Sequence, residues 1–190
     1  MSIELEAKLK VDDLDAVRRR LREAGAERRG AVVETNTIFD DRDRSLLAAD
    51  AGLRVRGIRP LDGAGPPATV TYKGPRQPGA LKRRTEIEVT VGDPDAMAAL
   101  LESVGMIRVL RFQKRRESWR LGGCCVELDE VPRLGRFVEI EGPDDATIQA
   151  VRDRLGLADC SLIPDSYVAL LVVDQPTPTP AGLEYLLESG

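Results

Sequence analysis

The sequence predicts an α+β fold built on one large antiparallel sheet or barrel with a few helices packed against it. Many segments alternate charged and apolar residues with a period of two. Three others carry apolar residues at helical spacing between an aspartate and a glycine. The chain is 190 residues long with 42% hydrophobic content, enough to bury one sizeable core in a single domain.

In chain order, the alternating segments are 2–11, 52–59, 68–73, 83–91, 110–121, 125–131 and 137–141, with a further strand expected over 31–39 and a short helical piece over 44–49. The helical segments are Asp12 to Ala26 (Leu14, Val17, Leu21), Asp93 to Met106 (Met97, Leu100, Leu101) and Asp144 to Leu157 (Ile148, Val151, Leu155). Each opens on aspartates suited to N-capping and closes at Gly25, Gly105 or Gly156. Segments 63–67 and 74–79 read as turn-rich connections. The domain is expected over 1–174, followed by a Pro-rich tail over 175–190, with 182–188 forming a last helical turn.

Charged residues make up 32% of the chain, yet 28 Lys and Arg against 32 Asp and Glu leave a net charge of only −4. That balance argues against a general nucleic-acid or membrane-surface binder, which needs a net basic face to displace counterions. The apolar run Val168 to Val173 is far below the ~20 residues needed to span a bilayer. Met1 leads directly into a charged strand, so a cytoplasmic protein is expected. Cys124, Cys125 and Cys160 have neither disulfide nor zinc-site spacing and are read as reduced packing residues. With no histidine in the chain, any metal falls to carboxylates, which select a hard ion such as Mg²⁺, Mn²⁺ or Ca²⁺.

The chemistry lies in the alternation, because residues two apart in a strand share a face. Glu4, Glu6 and Lys8 alternate with Ile3, Leu5, Ala7 and Leu9; Arg54 and Arg56 with Leu53 and Val55; Glu86 and Glu88 with Ile87, Val89 and Val91. Glu127 and Asp129 sit among Val126, Leu128 and Val131, Glu139 and Glu141 among Phe137, Val138 and Ile140, and Lys114 with Arg116 form another pair. On any one strand this is what a solvated sheet face looks like. Matched carboxylate or cation pairs on strand after strand imply a shared destination. If the sheet curls with its apolar face outward, these charges line a lumen and must pair with one another, a metal or a charged ligand. A metal-bound polyphosphate satisfies both signs.

Glu4-Leu-Glu6-Ala-Lys8 resembles the E-x-E-x-K signature of the CYTH domain, the triphosphate tunnel metalloenzymes that include class IV adenylyl cyclases, thiamine triphosphatases and inorganic triphosphatases. Its companions follow in order: Leu53-Arg-Val-Arg56, Thr71-Tyr-Lys-Gly-Pro75, Arg84-Thr-Glu-Ile-Glu88, Lys114-Arg-Arg116, Val126-Glu-Leu-Asp129, Leu134 to Glu141, and Ser166-Tyr167 before a final apolar helix. The resemblance covers residues 2 to about 173. It implies an antiparallel eight-stranded tunnel with helices outside, and a homodimer. It also implies Glu4, Glu6, Asp129, Glu139 and Glu141 as ligands of Mg²⁺ or Mn²⁺, and Lys8, Arg54, Arg56, Lys73, Lys114 and Arg116 as the triphosphate clamp. On the same resemblance, Lys82 and Arg84 are expected as further phosphate contacts, with Glu86 and Glu88 orienting the basic residues. Glu4, Glu6 and Lys8 are expected from it to carry the catalytic role, Lys8 being one candidate for proton removal.

The sequence departs from the family where many relatives read Asp-x-Tyr-Phe-Asp and this chain reads Asn36-Thr-Ile-Phe-Asp40, with Ile38 in place of the tyrosine. The Thr-Tyr-Lys-Gly-Pro strand and the Ser-Tyr helix look most like the class IV adenylyl cyclase branch, implying conversion of ATP to cyclic AMP and pyrophosphate. Hydrolysis of an inorganic or organic triphosphate, such as thiamine triphosphate, is the alternative. A polyphosphate or nucleotide sensor without turnover is the third reading.

Overall fold

Alternation over long stretches makes strands, and here the strands outlast the segments expected of them. The computed structural model describes residues 2–79, 81–173 and 183–187. Its elements are β1 (Ser2–Val11), α1 (Leu14–Glu23), β2 (Glu27–Asp40), α2 (Ser45–Ala48), β3 (Gly52–Pro60), β4 (Ala68–Gln77), β5 (Lys82–Val91), α3 (Pro94–Ser103), β6 (Ile107–Leu121), β7 (Cys124–Val131), β8 (Gly135–Glu141), α4 (Asp145–Arg154), α5 (Tyr167–Val173) and β9 (Leu183–Tyr185).

The first eight strands form a closed barrel in the order β2-β3-β4-β5-β1-β8-β7-β6, with β6 returning to β2. Every junction around it is antiparallel. The closing pair joins Glu27 through Asp40 to Arg120 through Ile107, with register shifts at Arg28/Gly30 and Ile38/Phe39. Such bulges bend a strand and sharpen its twist, as closure requires.

Each of the three longer helices starts and stops as the sequence predicts. Asp13 accepts from the Asp15 and Ala16 amides, Asp93 from Asp95 and Ala96, and Asp144 from Thr147. Gly25, Gly105 and Gly156 take left-handed backbone just past the helix ends, at φ +70°, +97° and +63°. Helices α1 and α4 bury Leu14, Val17, Leu21, Ile148, Val151 and Leu155 against Leu5, Ala7, Leu9, Val126, Val138 and Ile140. The main core therefore lies outside the barrel wall, which frees the inner face for charge. Helix α3 packs through Met97, Ala98 and Leu101 on Leu53, Val55 and Val70. Leu100, expected on that face, is exposed instead.

Three expectations are corrected. Strand β4 does not end at Lys73: it runs on to Gln77 through a register shift between Lys73 and Arg76. Gly74-Pro75 looks like a turn in sequence but forms this irregularity, where a missing N–H is tolerated. Where a last helical turn was expected, the described Leu183–Tyr185 are a strand that pairs in parallel with Leu110–Phe112 of β6. Strand β6 is 15 residues long and β7 covers it only from Arg115, so its earlier half has a free edge for β9. Finally, Val131 and Phe137 do not share the outer face with Leu128 and Val138, because their parity is that of Asp129 and Glu139. Residues 175–180, read as an extended stretch, lie outside the described residues. Among the described residues no helix is long and apolar enough to cross a membrane.

Candidate active site

The lumen is closed at one end by α5. Val131, Phe137, Leu110 and Phe112 turn inward there and pack with Tyr167, Leu171 and Tyr185. Ile38 joins the same apolar plug. Tyr167 is the polar tip of the plug: its hydroxyl donates to Asp129 Oδ2 at 2.9 Å and its ring meets Phe137 edge-on at 5.1 Å. Lys8 Nζ lies 4.3 Å and Lys114 Nζ 5.0 Å from that ring's centre, both close enough for cation–π attraction. Burial, then the neighbouring Asp129 charge, pushes the Tyr167 phenol well above its ordinary range, so it stays a donor.

Just above the plug is a dense ionic cluster. Asp129 accepts from Lys114 Nζ at 2.9 Å and from Arg116 Nε and Nη2 at 2.7 and 2.6 Å. Glu139 meets Lys8 at 3.2 Å and also pairs with Arg116 across the intervening strand β7. Burial opposes charge on Glu139, but Lys114, Lys8 and Arg116 outweigh it and hold its carboxyl well below the usual range. Lys8 also donates to the Asp165 carbonyl, just ahead of α5, at 3.1 Å. Lys82 reaches Glu6 at 3.1 Å.

On β3, two strands from β6 round the barrel, the cations are held more loosely. Arg54 reaches Thr71 only at 3.5 Å and Glu88 at 4.0 Å, and its Nε has no hydrogen-bond partner. Burial and the adjacent Arg56 charge lower its pKa, the signature of a cation short of anions. Arg56 meets Glu88 at 3.2 Å and Glu34 at 3.5 Å.

Toward the mouth the balance reverses. Lys73 bridges Glu4, at 2.9 Å, and Glu86. Glu141 stands near Glu4, Glu6 and Glu86; partial burial and those three charges push its carboxyl up to about 7. In this geometry no three acidic or thiol groups among the described residues converge closely enough to hold a metal.

All thirteen residues expected as metal ligands or phosphate contacts lie on the barrel strands, and twelve of them meet in these clusters. Arg84 differs: its guanidinium donates to the main-chain carbonyls of Asp50 and Gly74, at 2.7 and 2.9 Å, and to the Asp50 carboxylate at 2.8 Å. There it ties the approach to β3 onto β4. Glu88 and Glu86 hold Arg56 and Lys73, as expected of orienting carboxylates. The sequence reading missed Glu34, whose side chain is 3% exposed among Lys114, Arg56 and Arg116. Its two-residue spacing to Asn36 was a signal, but one carboxylate among Thr and Asn does not make a charged pair.

Residues 2–167 match the CYTH domain. The chain belongs to the CYTH family. A Methanocaldococcus jannaschii protein named as a candidate adenylate cyclase is 33% identical over 139 residues, covering 73% of this chain and 76% of that protein. The adenylate cyclase CyaB of Aeromonas hydrophila is 29% identical over 180 residues, covering 88% and 87%. Among solved structures, a Pyrococcus horikoshii protein superposes with a TM-score of 0.77 at 28% identity over 90% of this chain and 99% of that one. A Hippeastrum protein at 18% identity shares the fold, with a TM-score of 0.70 over 92% and 98%, and is described as having a dominant triphosphatase activity. The closed tunnel is thus the CYTH architecture, and its named relatives fall in the adenylate cyclase branch.

Proposed function

We propose that this CYTH protein is a metal-dependent enzyme of the class IV adenylyl cyclase type, converting ATP to cyclic AMP and pyrophosphate. One observation carries the reading: cations from three strands, Lys8 on β1, Lys114 and Arg116 on β6, and Arg54 and Arg56 on β3, surround a lumen closed at one end. A linear triphosphate enters such a channel end-on, and the organic group stays at the mouth. The names of the relatives favour the nucleotide.

The acidic mouth fits Mg²⁺ or Mn²⁺. Its donors are all carboxylate oxygens, and the crowding that raises Glu141 to about 7 marks negative charge short of a counterion. Glu4, Glu6 and Glu141 would hold the ion, which supplies neutralisation of the phosphate oxygens. Asp129 and Glu139, also expected as ligands, instead fix Lys114, Arg116 and Lys8 in this structure.

The side chains do the rest by position and charge. Arg54 and Arg56 have donors to spare and meet the phosphate oxygens. Lys114 and Arg116, preset by Asp129, stabilise the charge that builds as the leaving pyrophosphate separates. Lys8 is held between Glu6, at 3.5 Å, and Glu139, beside the same channel.

A second reading, hydrolysis of a triphosphate, uses the same clamp, because neutralisation of the phosphate charge by Lys, Arg and metal serves attack by water as well as by a ribose hydroxyl. Product analysis decides between the two readings, using ATP and inorganic triphosphate separately with Mg²⁺ and Mn²⁺. Cyclic AMP with pyrophosphate is expected from ATP; phosphate release without a cyclic product supports hydrolysis. Turnover that survives in the folded Glu4→Gln/Glu6→Gln double variant would remove the metal assignment.

A further inference from the structure

Glu34 has no role in the account above, yet its carboxylate is buried between the cations of β3 and those of β6. Strand β2 lies between β3 and β6 in the barrel. Glu34 is the cross-strand partner of Lys114, and its inward neighbour Asn36 is the partner of Arg56. The Glu34 carboxylate therefore faces clamp cations from both neighbours: Lys114 Nζ at 3.4 Å, Arg56 Nη1 at 3.5 Å and Arg116 Nη1 at 3.9 Å.

These distances distinguish it from an orienting carboxylate. Asp129 binds its cations at 2.6 to 2.9 Å with directed hydrogen bonds. Glu34 has no contact that short; even the Asn36 amide stands 3.4 Å away. A carboxylate nearly equidistant from three cations neutralises them together and fixes the direction of none. Burial opposes its charge, but Lys114, Arg116 and Arg56 hold the carboxyl well below its ordinary range, so it is an anion in the folded protein. The donors around it remain incompletely used, with Arg54 Nε and Arg56 Nε unpartnered beside it. A phosphate, with more oxygens than a carboxylate, can satisfy those donors as well.

We infer that Glu34 is a specificity-determining residue that occupies an anion subsite between β3 and β6 in the free protein, a subsite that a phosphate of the substrate competes for. The inference rests on the polyphosphate reading of the tunnel and adds to it a built-in competitor. Glu34 keeps the clamp cations from repelling one another while the tunnel is empty, and it weakens the hold on any anion that enters. The tunnel thereby favours chains with enough charge to outcompete one carboxylate, a triphosphate over a single phosphate.

The test is calorimetric titration of inorganic triphosphate into wild type, Glu34→Gln and Glu34→Asp, with chelator present so that only the cation clamp is read. Glu34→Gln keeps the shape and removes the charge, and is expected to bind at least tenfold more tightly than wild type. Its melting temperature should be lower without ligand and rise more on adding triphosphate. Glu34→Asp draws the carboxylate back from Lys114 and Arg56 and should tighten binding by about threefold. It decides the matter if the glutamine variant does not fold. Equal or weaker binding by a folded variant overturns the inference and leaves the polyphosphate reading standing. Binding absent from all three proteins in chelator overturns this inference, and the polyphosphate reading falls with it only if binding stays absent when Mn²⁺ is restored.

Discussion

At the closed end of the lumen, Asp129 takes hydrogen bonds from Lys114, Arg116 and Tyr167, each within 2.9 Å, and its side chain is fully buried. At the mouth, Glu141 is exposed beside Glu4, Glu6 and Glu86 and holds its proton up to about pH 7. Both regions are charged strand faces with the same alternation, but in one every charge is answered by the protein and in the other the negative charge is left over. The closed end behaves as structure that presets cations. The mouth and the β3 wall behave as a site awaiting ions.

If that contrast is right, substitutions at the two ends should fail differently. The largest effect is expected from Asp129→Ala, which leaves Lys114 and Arg116 buried without their main partner. Breaking a buried pair from one side costs about 3–5 kcal/mol, read as a loss of unfolding free energy in urea. Tyr167→Phe keeps the ring between Lys8 and Lys114 but removes the bond to Asp129. A loss of about 2 kcal/mol in the same assay is expected for a hydrogen bond to a charged group. Arg54→Ala should reverse the pattern. Its protein contacts are long, so stability should barely move, whereas triphosphate affinity should fall by about tenfold, or roughly 1.4 kcal/mol. A large stability loss from Arg54→Ala, or none from Asp129→Ala, would erase the contrast.

The smallest effect concerns pH. The Glu141 carboxyl is raised in the folded protein above its ordinary value of 4.5, so the native state binds that proton more tightly than the unfolded chain does. Stability in chelator should therefore fall as pH rises from about 4.5 to 7, while metal affinity, which needs the carboxylate, should rise over the same interval. Water at the exposed mouth screens the effect to below about 1 kcal/mol. Melting temperatures of wild type and Glu141→Gln at pH 5 and pH 8 check it, and the variant should lack this part of the decline.

Much of this was legible in the sequence, because a period of two leaves little freedom about which residues share a face. Glu4, Glu6 and Lys8 had to point one way if Leu5, Ala7 and Leu9 pointed the other. The aspartate and glycine ends of the helices were readable for the same local reason. What alternation could not show was which charges would be consumed by neighbours. Arg84 has the parity of Glu86 and Glu88 but is taken up by the Asp50 and Gly74 carbonyls, through contacts 34 and 10 residues away in sequence. Glu34 gained its meaning only when barrel closure set β6 beside β2. Strand β9 was hidden because its pairing depends on a free stretch of β6, not on its own residues. Phe137 and Val131 show the limit of sorting by polarity: their parity sent them inward, and they became the floor of the tunnel.

The central claim is that the channel between the β3 arginines and the Asp129 cluster is where a polyphosphate binds. A crystal structure of the protein with inorganic triphosphate and Mn²⁺ tests it most directly. The account predicts the phosphate chain in the lumen, contacting Arg54 and Arg56 of β3 and Lys114 and Arg116 of β6, with Mn²⁺ at Glu4, Glu6 and Glu141. Triphosphate bound only on the outer surface, with the lumen ion pairs unchanged, would contradict it.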